Sequence, residues 1–366
     1  MTCTDNVTNL IGFKQVKTMI NLPDAFNEAV AKALESGKLP NWTSVNLLDV
    51  TLRDGGFAVE FDWSRDFIKT FVSECVKSGT RKVEIGYLGG VNSKSGWYKG
   101  ISADIPSDFI AELIEDIPNL EAIAIINPWR VKSSVALKDY KKSGLSLLRV
   151  AYNPANASSS WNIIQQAVNE NINVGLNVTS VSRHTNSSLL SIVEESKRQG
   201  VTSISFADTT SSLLPKQIEE FRPALNLARE LGIGLGFHGH DVLGFGNANA
   251  LAFINHGINT VDVSIGGVGR GGKNLVAELW KFMKVSEILK QTDESLISLA
   301  NLSKLIGDRF HQNYADFIGL TCAIFGISPE IVEGLSPLPQ NIQHEANLQC
   351  SQLIYSHLKQ IIKAYD

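Results

Sequence analysis

His238 and His240 stand two residues apart in "GFHGHD", residues 236–241. In extended chain, side chains two apart point to the same face. A carboxylate in an unusual setting lies far upstream. The stretch "LLDVTLRDGG", residues 47–56, runs from apolar residues into Arg53-Asp54 and ends at two glycines. Two imidazoles and one carboxylate, with coordination positions left open, suit a catalytic divalent metal. Each part alone has a plainer explanation. An H-x-H pair can satisfy itself in a core, and an Arg beside an Asp can be a surface ion pair at a turn. The chemical reading needs an architecture that carries both to one place.

The chain has a pattern that would do so. Short β-branched runs at 45–52, 82–86, 122–126, 147–151, 174–178, 203–206, 234–238 and 260–265 alternate with helical patterns at about 65–78, 107–116, 132–143, 159–170, 187–199, 215–231, 246–257 and 274–290. Eight strand–helix units of this size predict an α/β fold, a (β/α)8 TIM barrel, over residues 45–295. No G-x-G-x-x-G follows the first strand, which argues against an open dinucleotide-binding sheet. Residues 1–44 read as an N-terminal extension with one amphipathic helix over 23–35, and 296–366 as a C-terminal helical appendage, with helices at 296–308, 313–326 and 341–364.

In such barrels the chemistry gathers at the C-terminal ends of the strands. Arg53 and Asp54 end the first strand, and His238 and His240 the seventh. Glu84 on the second strand needs a partner, and Arg53 is the obvious one. Arg149 ends the fourth strand. Asn177 and Thr179 end the fifth, followed by Arg183-His184, and Asp208-Thr209 end the sixth. Each of these alone reads as barrel packing or a loop hydrogen bond; together they are candidates for holding a substrate. The last strand runs into "GGVGRGGKN", residues 266–274, whose glycines allow a nest of backbone N–H groups at a helix N-terminus.

Composition narrows the class. The 366 residues carry a formal charge of −4, and 43% are hydrophobic. No Lys/Arg run marks a nucleic-acid partner. The four cysteines, Cys3, Cys75, Cys322 and Cys350, have neither zinc nor redox spacing. No signal-like start or membrane-length apolar run is present, so a reduced, cytoplasmic protein is expected. Asn41-Trp42-Thr43 is then a chance glycosylation match.

"TLRDGG", "HGHD" followed by "GNANAL", and "GVGRGGKN" together resemble the DRE-TIM metallolyase superfamily, over roughly residues 45–295. The superfamily includes 4-hydroxy-2-oxoacid aldolases, 3-hydroxy-3-methylglutaryl-CoA lyases, and isopropylmalate and homocitrate synthases. The chain is most similar to aldolases of the 4-hydroxy-2-oxovalerate type and to aldolase-like proteins of polysaccharide and secondary-metabolite clusters. It lacks the long C-terminal regions of isopropylmalate synthases. It also has no cysteine in the Gly-rich loop, where hydroxymethylglutaryl lyases carry one. The resemblance implies that Asp54, His238 and His240 bind one divalent cation, Mn2+ or Mg2+ first, with Zn2+ or Co2+ as alternatives. Asn274 matches a position that is a metal ligand in some branches. Arg53 would steady the enolate oxygen, and Tyr314 in "QNYADF" matches a tyrosine lining the aldolase site. The implied substrates are a 2-oxoacid and an aldehyde. An acylating aldehyde dehydrogenase is the implied partner, and a homodimer the implied assembly.

Two residues depart from that pattern. Pyruvate aldolases carry a histidine as base two residues after Arg-Asp-Gly, where this chain has Phe57. His184 is the first substitute, because its ordinary pKa suits general base work; His311 and Tyr314 follow. Lys273 stands where relatives have glycine, either to pair with a substrate carboxylate or phosphate or as a solvated surface group. Two rivals stay open. One is a Claisen-type synthase joining acyl-CoA to a 2-oxoacid. The other is a degenerate barrel serving as a binding subunit.

Overall fold

The computed structural model describes residues 22–36, 44–93, 96–131, 134–284, 294–336 and 338–365. Cys3, the start of the chain, the Asn41-Trp42-Thr43 match and residues 285–290 of the eighth predicted helix lie outside the described residues. Eight parallel strands close a barrel: β1 (Asn46–Asp49), β2 (Lys82–Leu88), β3 (Glu121–Ile126), β4 (Leu147–Tyr152), β5 (Val174–Val178), β6 (Ser203–Asp208), β7 (Gly234–Gly239) and β8 (Thr260–Val263). Each pairs with its sequence neighbour, and β1 pairs with β8 from Asn46 opposite Thr260 to Asp49 opposite Val263. These strands are buried along nearly their whole length, because a parallel strand under a helical layer is covered on both faces. The (β/α)8 expectation holds.

The helices form the outer layer. α1 (Asp24–Glu35) buries Phe26, Val30 and Leu34, four residues apart along one stripe. It packs on the C-terminal helix. α2 (Arg65–Lys77) starts at Ser64, whose hydroxyl accepts the Phe67 N–H at 3.1 Å. α3 (Ser107–Asp116), α4 (Leu137–Lys142), α5 (Ala157–Asn169), α6 (Asn186–Arg198), α7 (Ile218–Glu230), α8 (Gly246–Asn255) and α9 (Ala277–Met283) follow their strands. α10 (Ser295–Phe310) packs on α2 and on α12 (Gln340–Tyr365), and α11 (Phe317–Phe325) lies between them in sequence. No helix among the described residues is long and apolar enough to cross a membrane.

The structure corrects several boundaries. β1 ends at Asp49 instead of running to residue 52, and Thr51–Asp54 wind into one helical turn. The buried Asp49 carboxylate causes the break: it accepts the Thr51 N–H at 2.9 Å and the Thr51 hydroxyl at 3.1 Å. Of the helix expected over 132–143, residues 132 and 133 lie outside the described residues, and among the rest only the six residues of α4 are helical. β2 is longer than expected and carries a bulge. Glu84 sits opposite Ile123 but Gly86 opposite Ala124, which leaves Ile85 as an extra residue.

The barrel interior is polar where branched apolar side chains usually fill it. Arg149, Glu84 and Asp262 are buried there. Below them, Gly234, Gly236, Ser203 and Ser205 leave a cavity of about 410 Å³ at the N-terminal ends of the strands, with Arg149 and Asp262 also in its lining.

Candidate active site

At the other end of the barrel, donor atoms of Asp54, His238 and His240 lie within 4.8 Å of one another, and all three side chains are buried. The short turn after β1 supplies Asp54. His238 is in β7 and His240 follows it directly, with ring centroids 5.0 Å apart and planes nearly perpendicular. Burial, aided by His238, Arg53 and Arg270, pushes His240 down to about 4. Its imidazole is therefore neutral at neutral pH, the form that ligates metal. Burial would raise the Asp54 carboxyl, but Arg53, His238 and His240 hold it at about 2, ionised.

The donor set fits a divalent cation. So do the buried atoms around it that have no partner among the described residues, including the Asn274 side-chain oxygen and Arg53 Nη2. Asn274 Nδ2 donates to Asp54 Oδ2 at 3.0 Å and to the Val268 carbonyl at 3.1 Å. The Asn274 carboxamide thus has one end tied to a candidate ligand and the other end unspent.

A chain of charge runs from Asp54 across the barrel to His238. Arg53 Nη1 donates to Asp54 Oδ1 at 2.5 Å, and Arg53 Nε to Glu84 Oε2 at 2.5 Å. Glu84 Oε1 accepts from Arg149 Nη1 at 3.2 Å. Arg149 Nη1 also lies 2.8 Å from Asp262 Oδ2, which is 3.1 Å from His238 Nδ1. A carboxylate at one ring nitrogen leaves the other for a metal. Burial opposes every charge in this chain. The partners outweigh it: Glu84 and Asp54 hold Arg53 well above its ordinary range, and Arg149 holds Asp262 below its own. The expected Arg53–Glu84 pair is present. Arg149 and Asn177, named as substrate contacts, are instead spent on the scaffold, because Arg149 Nη2 donates to Asn177 Oδ1 at 3.2 Å.

Other expected residues lie elsewhere. Thr179 donates its hydroxyl to the Tyr152 carbonyl at 2.9 Å. The exposed Thr209 accepts the Ser180 N–H at 2.9 Å, joining the loops after β5 and β6. Arg183 is exposed, whereas Lys273, also exposed, stays at the mouth on the Gly-rich hairpin. His184 Nδ1 pairs with Ser188 at 3.2 Å in the first turn of α6, and no hydrogen bond or ion pair joins it to the triad. Tyr314 turns to the helical tail, where its hydroxyl donates to Asp308 and its ring packs beside His344. His311 is exposed at the end of α10.

The Gly-rich turn is not an open nest. Val268–Gly269 and Gly272–Lys273 pair antiparallel, and α9 begins only at Ala277. The Arg270 N–H at its tip donates to Asp54 Oδ2 at 3.0 Å, so the hairpin clamps the carboxylate. Gly269 permits this, since a Cβ there would lie 2.5 Å from Asn274 Nδ2. Gly269→Ala should push that amide off Asp54 and weaken metal retention roughly tenfold or more, the loss seen when a ligand's support is removed; equilibrium dialysis against the metal measures it. The "GNANAL" motif is structural: Asn247 Oδ1 accepts the Trp280 indole N–H at 2.9 Å, and Asn249 Nδ2 donates to the Leu213 carbonyl at 2.8 Å.

Three residues at the site were not read from the sequence. Asp262 is an acid inside the β-branched run "TVDVS", which is itself a signal. Arg270 lies with its guanidinium 4.5 Å over the Phe57 ring. Tyr87 joins Phe57, Phe61 and Tyr98 in an aromatic cluster beside the mouth.

A profile of the HMGL-like family matches residues 44–306. Among curated proteins, the chain is similar to the oxaloacetate decarboxylase of Mycobacterium tuberculosis (strain ATCC 25618 / H37Rv), 24% identical over 87% of this chain and 91% of that protein. It is also similar to 4-hydroxy-2-oxovalerate aldolase 2 of Dechloromonas aromatica (strain RCB), 27% identical over 64% of this chain and 68% of that one. Among solved structures, HMG-CoA lyase of Bacillus subtilis superposes with a TM-score of 0.59 at 20% identity, covering 74% of this chain and 95% of that one, and so shares the fold. The motifs at 51–56, 238–241 and 267–274 meet around one mouth, inside the stretch that the profile spans, and the chain belongs to the HMGL-like family.

Proposed function

We propose that the chain is a divalent-metal-dependent aldolase that makes or breaks the C–C bond between a 2-oxoacid enolate and an aldehyde. One observation carries this reading: Arg53 Nη2, a buried N–H donor without a partner among the described residues, belongs to the guanidinium bonded to the candidate ligand Asp54. Such a donor suits an oxyanion that forms only during reaction. Asp54, His238 and His240 would hold the cation, with Asn274 as support or further ligand, and Mn2+ or Mg2+ is the ion expected. When bound, the ion supplies Lewis-acid polarisation of the 2-oxoacid carbonyl. Arg53 shares the charge that develops on that oxygen. Glu84 fixes the guanidinium plane, and the hairpin at Arg270 and Asn274 fixes Asp54. The exposed Arg270 and Lys273 offer positive charge at the mouth for a substrate carboxylate.

Similarity to a protein named 4-hydroxy-2-oxovalerate aldolase supports this reading. So does similarity to one named oxaloacetate decarboxylase, because both reactions break the bond beyond C3 of a 2-oxoacid. The longer match to the decarboxylase favours a second reading, decarboxylation of a 2-oxodiacid, which needs no base for a hydroxyl group. Phe57 at the usual base position agrees with it. The assay is pyruvate release from 4-hydroxy-2-oxopentanoate and from oxaloacetate by metal-loaded protein. The aldolase reading expects release from the hydroxyacid that a chelator stops and Mn2+ restores. Release from oxaloacetate alone moves the assignment to the decarboxylase. Free thiol from acetyl-CoA plus a 2-oxoacid would move it to Claisen chemistry.

The histidine after β5 should matter little. His184→Gln is expected to keep the rate within about threefold and to leave the pH–rate profile in place, since its imidazole serves the first turn of α6. A flattened acid limb would return His184 to the reaction.

A further inference from the structure

We propose that the Tyr87 hydroxyl is a catalytic hydrogen-bond donor to the aldehyde-derived oxygen of the substrate, the oxygen on C4 of a 4-hydroxy-2-oxoacid. This rests on the aldolase reading above.

The bulge in β2 places it. Side chains three apart on a regular strand face opposite ways. The extra residue Ile85 restores the parity, so Glu84 and Tyr87 both turn inward. The neighbours agree: Ile85 and Leu88 join the large core between sheet and helices, whereas Tyr87 joins the separate aromatic cluster at the mouth. Gly86 makes the bend feasible, since a Cβ there would lie 2.4 Å from the Ser102 carbonyl oxygen.

The ring is held from several sides. Phe57 and Phe61 meet it edge-on at 6.0 and 5.9 Å between centroids, and only 6% of the residue is exposed. The hydroxyl, in contrast, has no protein partner among the described residues. Geometry ties it to the candidate centre: Arg270, whose N–H holds Asp54, lies with its guanidinium 4.5 Å over the Phe57 ring that meets Tyr87. Burial pushes its pKa up to about 12, so it keeps its proton at neutral pH and donates. A rigid ring with an unspent donor, next to Arg53, is the arrangement an oxygen gaining charge requires. Phe57 cannot supply that bond, and His184 and Tyr314 are bonded elsewhere.

The chemistry separates two oxygens. In aldol synthesis the enolate C3 attacks the aldehyde carbon, the new C–C bond forms, and the carbonyl π pair moves onto the aldehyde oxygen. Tyr87 donates a hydrogen bond to that alkoxide, and water supplies the proton that completes the hydroxyl. Cleavage runs the same steps backwards. Decarboxylation of oxaloacetate makes the same enolate, but CO2 leaves and no alkoxide forms at C4.

Tyr87→Phe keeps the ring and removes the donor. In the metal-loaded protein, kcat/KM for cleavage of 4-hydroxy-2-oxopentanoate should fall roughly a hundredfold, the loss typical of one oxyanion donor. Decarboxylation of oxaloacetate should stay within about twofold, with metal content and melting temperature unchanged, because the shared enolate does not use the donor. Equal loss in both reactions, or undiminished cleavage, overturns the proposal. If the parent protein cleaves no hydroxyacid, the aldolase reading fails separately and calorimetric binding decides. The parent should then bind 4-hydroxy-2-oxopentanoate more tightly than 2-oxopentanoate, and Tyr87→Phe should erase the difference. A difference that survives the substitution overturns the assignment.

Discussion

Changing His238 and His240 together to alanine should strip the protein of its cation. Metal analysis of the parent is expected to find about one divalent ion per chain, as a two-His-one-carboxylate set holds. The double variant should fall to background and lose turnover with it. The geometry leaves little to compensate. Asp54 is already committed to Arg53, Arg270 and Asn274, and one carboxylate with one carboxamide holds a transition metal poorly. The fold should survive, because the two imidazoles line the mouth and the strand ladder of β7 is untouched. Full metal retention in a folded double variant would end the proposed centre.

Arg53→Lys should lower turnover by roughly two to three orders of magnitude while the metal stays bound, matching the loss of an oxyanion donor. Lysine keeps the charge but not the planar fork that reaches Asp54 and Glu84 at once and would leave Nη2 for the proposed enolate oxygen. The affinity for the 2-oxoacid should change less than the rate, since the missing donor acts on charge that develops during reaction. Turnover within threefold of the parent would make Arg53 a scaffold residue only.

The fold was legible because its signal is repetitive. Eight apolar runs alternate with helical stripes, and every barrel strand appeared within a few residues of its expected place. The two histidines of the candidate metal set were legible for a local reason: H-x-H puts two side chains on one face whatever lies around them. The remaining positions depended on information that residue types do not carry. Arg149 looked like a strand-end substrate contact because an unpaired charge inside a barrel is costly. Its partners, Glu84 and Asp262, come from strands far away in sequence. Tyr87 was hidden by a bulge that changes parity without marking the sequence. Tyr314 matched a motif, but the packing of its ring against Gly307 of α10 directs it into the helical tail. The Gly-rich turn looked like an anion nest, yet its tip amide was already taken by Asp54.

The charge chain between Asp54 and His238 has a consequence for the order of binding events. Three buried carboxylates, Asp54, Glu84 and Asp262, face two buried guanidinium groups, Arg53 and Arg149. Before a cation arrives, these five groups therefore carry one negative charge in excess, in surroundings where screening is weak. A 2-oxoacid anion drawn in past Arg270 and Lys273 would meet that excess beside Asp54 until the cation is seated, and the cation's own charge afterwards. Ligand exchange should thus be ordered, with the ion first in and last out, and oxalate should compete for the loaded protein while leaving the chelated protein almost untouched.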